Sequence, residues 1–99
     1  MKIAIVGGTK GLGLGLALRL AAAGEEVWIG SRSADRGKAA AAGCNERLDG
    51  GTVAGGANDD VVKGAGAVFV TVPFPGLADT YKQLKDWLEP GTTVIDCNV

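Results

Sequence analysis

Four glycines fall within seven residues near the amino terminus, Gly7-Gly8-Thr9-Lys10-Gly11-Leu12-Gly13, and they constrain the fold more than any other segment. The preceding run Ile3-Ala4-Ile5-Val6 reads as a short buried parallel strand. The residues that follow, 12 to 23, read as a helix closed by Gly24 as its C-cap. A strand that turns through glycines into a helix points free backbone N–H groups and the positive helix end at one spot, which suits a phosphate group. Gly13 would also let the helix pack closely on the sheet. The spacing is GxxxGxG from Gly7, or GxxKxxG, and not GxGxxG, so the strand and helix on either side carry this reading. The plain alternative is an ordinary glycine-rich connection.

Further along, strands and helices alternate. Val27-Trp28-Ile29 reads as a second strand, and Ser33 or Asp35 is placed to cap a second helix running to Ala42 and ended by Gly43. Thr52-Val53-Ala54 is a weak third strand, and Asn58 is placed to cap a short helix around Val61 and Val62. Residues Ala67 to Val72 form a fourth strand, stopped by Pro73 and Pro75. Leu77, Tyr81, Leu84 and Leu88 give a last helix one apolar face, and Thr93-Val94-Ile95 is the fifth strand. In the first helix, Leu12, Leu16 and Leu20 form one stripe with Leu14 and Leu18 nearly opposite, so it is expected to be covered on two sides. The pattern predicts a three-layer α/β, doubly wound parallel sheet of Rossmann type, with five strands in the order 3-2-1-4-5.

Ninety-nine residues make one domain, expected to span 1–99, and 46% hydrophobic against 21% charged residues argues for a packed chain. A net charge of -1 offers no basic surface to nucleic acid. No apolar run reaches membrane-spanning length, and Met1 to Val6 leads into glycines instead of a signal-peptide core, so the expectation is a cytoplasmic protein with no membrane partner. With no histidine, and two cysteines (Cys44 and Cys97) outside any CxxC spacing, neither a metal site nor a histidine-based triad is expected.

The end of the second strand speaks to which dinucleotide fits. NAD-binding folds usually place an acid there for the ribose 2′-hydroxyl. Here the stretch is Gly30-Ser31-Arg32-Ser33, with Arg36 one turn on. Arg32 can grip a 2′-phosphate bidentately or stack on adenine, Ser31 and Thr9 can donate hydroxyls, and Arg36 adds charge. The expected ligand is therefore NADP(H), laid across the carboxyl ends of strands one and four. Solvated charges at a helix start are the bland alternative, although arginine in a first helical turn opposes the helix dipole. Asn98 is within reach of the nicotinamide ribose if the terminus is ordered.

Several segments resemble the amino-terminal domain of the F420-dependent NADP oxidoreductases, also called NADPH-dependent coenzyme F420 reductases. They are Met1 to Thr9, Gly13 to Ala21, Ile29-Gly30-Ser31-Arg32-Ser33, Asn58-Asp59-Asp60, Val72-Pro73-Phe74 and Val94-Ile95-Asp96. The resemblance implies that the glycine turn (Gly7, Gly8, Thr9, Lys10, Gly11, Leu12, Gly13) and the Ser31-Arg32 pair bind NADP, and that Val72 and Pro73 line the nicotinamide side. It implies hydride transfer between NADPH and the deazaflavin F420, with no catalytic side chain assigned and the protein supplying alignment. Where the family usually has glycine this chain has Lys10, so that either the loop is shifted by one residue or Lys10 itself reaches a phosphate. The family's carboxy-terminal domain helps enclose F420 and contributes to its dimer. A homodimer or a partner chain is accordingly expected to complete the acceptor site.

Two other readings stand beside this one. The turn spacing and Tyr81-x-x-x-Lys85 mimic a short-chain dehydrogenase, although that pair normally lies deeper in a longer chain with an upstream serine. A stand-alone NADP(H)-binding module without turnover is the other.

Overall fold

A computed structural model describes residues 1–9, 11–48, 52–72 and 74–97, with nothing described of the side chains at 74 and 75. Five strands, β1 (Lys2–Val6), β2 (Glu26–Ser31), β3 (Val53–Ala57), β4 (Ala67–Val70) and β5 (Thr93–Asp96), alternate with helices α1 (Gly11–Ala22), α2 (Ala34–Arg47), α3 (Asn58–Val61) and α4 (Phe74–Trp87). All four strand pairings are parallel, and the sheet order is β3-β2-β1-β4-β5, as the alternating pattern predicts.

Because strand side chains alternate between faces, the sheet separates two apolar layers. Ala4, Val6, Val68 and Val70 join Val61, Val62 and Leu84 under α3 and α4, with Leu77, Tyr81 and Leu88 packed against them. The apolar stripe read on the last helix is thus the face that meets the sheet. Ile5, Val27, Ile29 and Val53 point the other way, toward Ala17, Ala21, Ala41 and Cys44 of α1 and α2. The sheet is buried on both faces at β1, which explains the unbroken apolar run there.

The first helix departs from the leucine-stripe expectation. Its fully buried residues are Gly13, Ala17 and Ala21, four apart, while Leu14, Leu16, Leu18 and Leu20 flank the contact half-buried and Leu12 is 55% exposed. Small residues face the sheet because α1 lies close to it, and the leucines seal the seam on either side. Gly24 ends α1 as expected: with φ at +92°, its N–H donates to the Ala21 carbonyl and the Glu25 N–H to that of Leu20, a Schellman closure.

Three local expectations need correction. Gly43 does not end α2, which runs on to Arg47; Ser33 is its N-cap, its hydroxyl accepting from the Arg36 N–H at 3.4 Å. The buried stripe Gly37, Ala41 and Cys44 carries the helix past the glycine. An added Cβ at Gly43 would meet nothing within 4 Å. Gly43→Ala should therefore stabilise the domain by about 0.5–1 kcal/mol, as Ala over Gly does in a helix interior, raising the denaturant midpoint without changing the slope. Asn58 does not cap α3 either; the N-cap is Ala57, without a side-chain bond, and Asn58 lies inside the helix and buried. Finally, β4 stops at Val70, two residues short of Val72, and α4 has begun by Phe74, so Pro75 sits in a first turn, where a missing N–H costs little.

Candidate functional site

The carboxyl ends of β1, β2 and β4 open into a cleft of about 660 Å3. It lies between the β1–α1 turn, the start of α2 and one face of α4, at the point where the strand order reverses. That is where ligands of open α/β sheets sit.

The turn is built by contacts that exclude side chains. Gly7 has φ at +79°, and a Cβ there would press on Val72. At Gly13, a Cβ would lie 2.5 Å from the Thr71 hydroxyl and 2.6 Å from the Gly8 Cα, so only glycine lets α1 start this close to the turn. The Gly7 and Gly8 N–H groups both donate to the Gly30 carbonyl, at 3.0 and 3.2 Å. These two glycines therefore shape the bend and tie β1 to β2, and the donors left for an anion are those of the first turn of α1, beginning at Gly11. No acidic residue stands in that turn to cancel its positive end.

Of the residues predicted from sequence, Gly7, Thr9, Ser31, Arg32, Arg36 and Val72 line the cleft together. Gly8 and Gly13 lie buried behind the bend, and Gly11 and Leu12 are exposed at the start of α1. Lys10, Pro73 and Asn98 lie outside the described residues. Ser31 is buried, its hydroxyl oxygen accepting from the Ser33 N–H and leaving the O–H free to donate. Arg32 and Arg36 are exposed, and among the described residues neither guanidinium has a hydrogen-bond or ion-pair partner. No acid stands at Gly30 to Ser33, where β2 ends; the next one along the chain is Asp35, in the first turn of α2.

Sequence reasoning missed the opposite wall and the floor. Gly76, Asp79, Thr80 and Gln83 line the cleft from α4, with Thr71 and Asn58 beneath. The spacing of 76, 79, 80 and 83 is the polar complement of the apolar stripe at Leu77, Tyr81 and Leu84, so the helical period could have shown it. Asn58 stands out in the sequence only as a helix cap and within the family-like segment Asn58-Asp59-Asp60, neither of which marks it as part of the cleft.

The short-chain dehydrogenase reading meets different geometry. Neither Tyr81 nor Lys85 is among the residues lining the cleft. Tyr81 packs on the apolar layer and hydrogen-bonds Asp96; burial, then that carboxylate, pushes its phenol above the ordinary range and keeps it protonated. A tyrosine acting as a base would need the opposite shift. Burial likewise raises the Cys44 thiol, which is inert packing on α2. No helix among the described residues is long and apolar enough to cross a membrane.

A family model described as NADP oxidoreductase, coenzyme F420-dependent, matches residues 2–99. The chain belongs to that family. The F420-dependent NADP reductase of Methanothermobacter thermautotrophicus is 46% identical over 88 residues, covering 87% of this chain and 38% of the relative. The reductase of the same name from Methanocaldococcus jannaschii is 38% identical over 103 residues, covering 100% of this chain and 45% of the relative. The chain thus spans less than half the length of these two relatives. Among solved structures, (S)-3-hydroxybutyryl-CoA dehydrogenase PaaH1 from Ralstonia eutropha superimposes with a TM-score of 0.76 at 18% identity, covering 96% of this chain and 40% of that one. Synechocystis arogenate dehydrogenase gives 0.67 at 23%, covering 99% and 33%. Both likenesses show the F420-dependent family's fold in this chain to be that of Rossmann dehydrogenases.

Proposed function

We propose that residues 1–99 form one NADP(H)-binding domain of an F420-dependent NADP oxidoreductase, which works in hydride transfer between NADPH and coenzyme F420 once a second copy or a partner chain completes the acceptor site. The observation that carries this reading is the pair of guanidinium groups without a partner among the described residues, Arg32 just past β2 and Arg36 in the first turn of α2, lining one cleft with a glycine bend and a helix start that has no acid in its first turn. Cations held without a partner beside a cleft fit an anionic ligand, and the missing acid removes the usual holder of a 2′-hydroxyl.

The described residues fit such a ligand. Gly7 and Gly13 leave room for the backbone to approach a diphosphate, and the first turn of α1 supplies donors. Arg32, Arg36, Ser31 and Thr9 hold the 2′-phosphate, and Val72 is apolar surface for the nicotinamide side; the parts expected of Pro73 there and of Asn98 at the ribose fall outside the described residues. NADP(H) itself brings the hydride chemistry; the chain's contribution is alignment and exclusion of water. Two free cysteines suit the reducing cytoplasm, the compartment we assign.

Calorimetric titration tests the reading directly. NADPH should bind at least about tenfold more tightly than NADH, the effect of a charged contact made by only one of them. Equal affinities, or no binding of either, would overturn it. Adding oxidised F420 to the chain alone, and to the chain with its completing partner, then reads turnover as loss of NADPH absorbance, expected only in the second case.

A further inference from the structure

The cleft has a cationic wall at Arg32 and Arg36, and across it α4 places an acid, Asp79, beside Gly76, Thr80 and Gln83. A carboxylate in a site for an anionic ligand opposes binding unless it faces a hydrogen-bond donor. Helix chemistry does not account for it. Asp79 stands in the second turn of α4, beyond the first turn where an acid meets the helix's positive end, and among the described residues it forms no ion pair with Lys82, three residues on. The helical period fixes where this wall looks. Leu77, Tyr81 and Leu84 turn to the sheet, with Tyr81 hydrogen-bonded to Asp96 at the end of β5. Residues 76, 79, 80 and 83 occupy the other side of α4, which faces away from β5 and toward the β2 end, where Ser31, Arg32 and Arg36 line the same cleft.

The two walls sort the parts of a ligand. Resting on the dinucleotide reading above, the diphosphate lies on the β1–α1 turn, the 2′-phosphate at Arg32 and the nicotinamide on the Val72 side. The base is the part left for the space between the β2 end and α4. The α4 wall there is rich in acceptors: Asp79 only accepts, and the Thr80 hydroxyl donates its proton to the Gly76 carbonyl at 2.9 Å, which leaves its lone pairs. On an adenine ring the only N–H donor is the 6-amino group. We propose that Asp79 reads the base: its carboxylate accepts a hydrogen bond from the adenine 6-amino group. Hypoxanthine and guanine carry a carbonyl at that position, whose lone pairs would confront the carboxylate. Gln83 can both donate and accept, so it cannot make this distinction. The α4 wall thereby selects a 6-aminopurine, a task separate from the arginines' selection of the 2′-phosphate.

The test compares NADPH with deamino-NADPH, in which hypoxanthine replaces adenine and a 6-oxo group the 6-amino group. Wild-type chain should bind NADPH roughly tenfold more tightly than the analogue, the effect of one hydrogen bond to a charged acceptor. Asp79→Asn keeps the shape of the side chain, and its carboxamide can accept from a 6-amino group or donate to a 6-oxo group, so it should bind the two within about twofold of each other. Its preference for NADPH over NADH should persist, because the arginines are untouched. A purely structural aspartate would weaken NADPH and its analogue in parallel, and a base preference that survives in Asp79→Asn overturns the inference. Loss of both preferences together in that variant also overturns it, since the cleft as a whole would then have changed. Equal binding of NADPH and deamino-NADPH by the wild-type chain, with NADH still bound more weakly, defeats the base reading alone. Failure of the wild-type chain to bind NADPH at all would defeat the dinucleotide reading, and this inference with it.

Discussion

Arg32→Ala is expected to cost about 1.5–3 kcal/mol of NADPH affinity, roughly 10- to 150-fold, while NADH binding stays nearly unchanged. The size follows from the surroundings of the side chain. Arg32 is exposed and unpartnered among the described residues, so its charge is not already spent on a protein acid. A planar guanidinium can also meet a phosphate through two parallel N–H bonds, which lysine cannot reproduce, so Arg32→Lys should recover only part of the loss. NADH lacks the phosphate and has nothing to lose. Isothermal titration of both cofactors against both variants decides the matter: parallel losses for NADPH and NADH would assign Arg32 to the shape of the turn, and no loss at all would remove it from the site. The salt dependence offers a second check, since one fewer phosphate contact should flatten the fall in NADPH affinity with ionic strength.

Gly55→Ala should produce the largest loss of stability of any single methyl addition discussed, toward the upper end of the about 1–3 kcal/mol that overpacking costs, or beyond it. Helix α2 crosses β3 with backbone on backbone. A Cβ at Gly55 would fall on the Gly37 carbonyl and 2.9 Å from the Lys38 N, and a Cβ at Gly37 would fall on the Gly56 carbonyl. Main chain cannot move aside as a flexible side chain would, so the helix must lift from the sheet and part of the layer of Ala41, Cys44 and Val53 opens with it. For a domain of this size the melting temperature should drop by about 10 °C or more. Gly56→Ala is the control, since its Cβ would find only Val61 at an ordinary 3.7 Å. Similar melting temperatures for the two variants would show that α2 is less tightly seated than the contacts imply. The lift would also shift the start of α2, where Arg36 stands, so NADPH affinity should fall with stability in Gly55→Ala and hold in Gly56→Ala.

These two cases show where local sequence was informative. Arg32, Arg36 and Ser31 were legible because a strand end, a missing acid and a capped helix are all encoded within a few residues. The order of the sheet was legible for a similar reason: alternating strands and helices leave few right-handed ways to wind. The glycines from 50 to 56 had no such context, and the weak strand read at Thr52-Val53-Ala54 became a full five-residue β3 reaching Ala57. What makes glycine suitable there is the backbone of α2, eighteen residues away at Gly37. The leucine stripe of α1 misled for the opposite reason. Helical periodicity ranks faces by hydrophobicity, whereas a close helix–sheet contact selects small residues, so Gly13, Ala17 and Ala21 took the buried face.

By itself, the sequence determined the family, the alternation that winds the sheet, the glycine bend and the cationic end of β2, because each of these depends on neighbours along the chain. The tertiary structure alone decided that α4 supplies the far wall of the cleft, that Gly7 and Gly8 spend their N–H groups on Gly30, and that Asn58 is buried beneath the site with an unpaired oxygen. The physical reason is distance along the chain. Hydrogen bonding and close packing are settled by whatever the fold brings within a few ångströms, and no local pattern records which groups those will be.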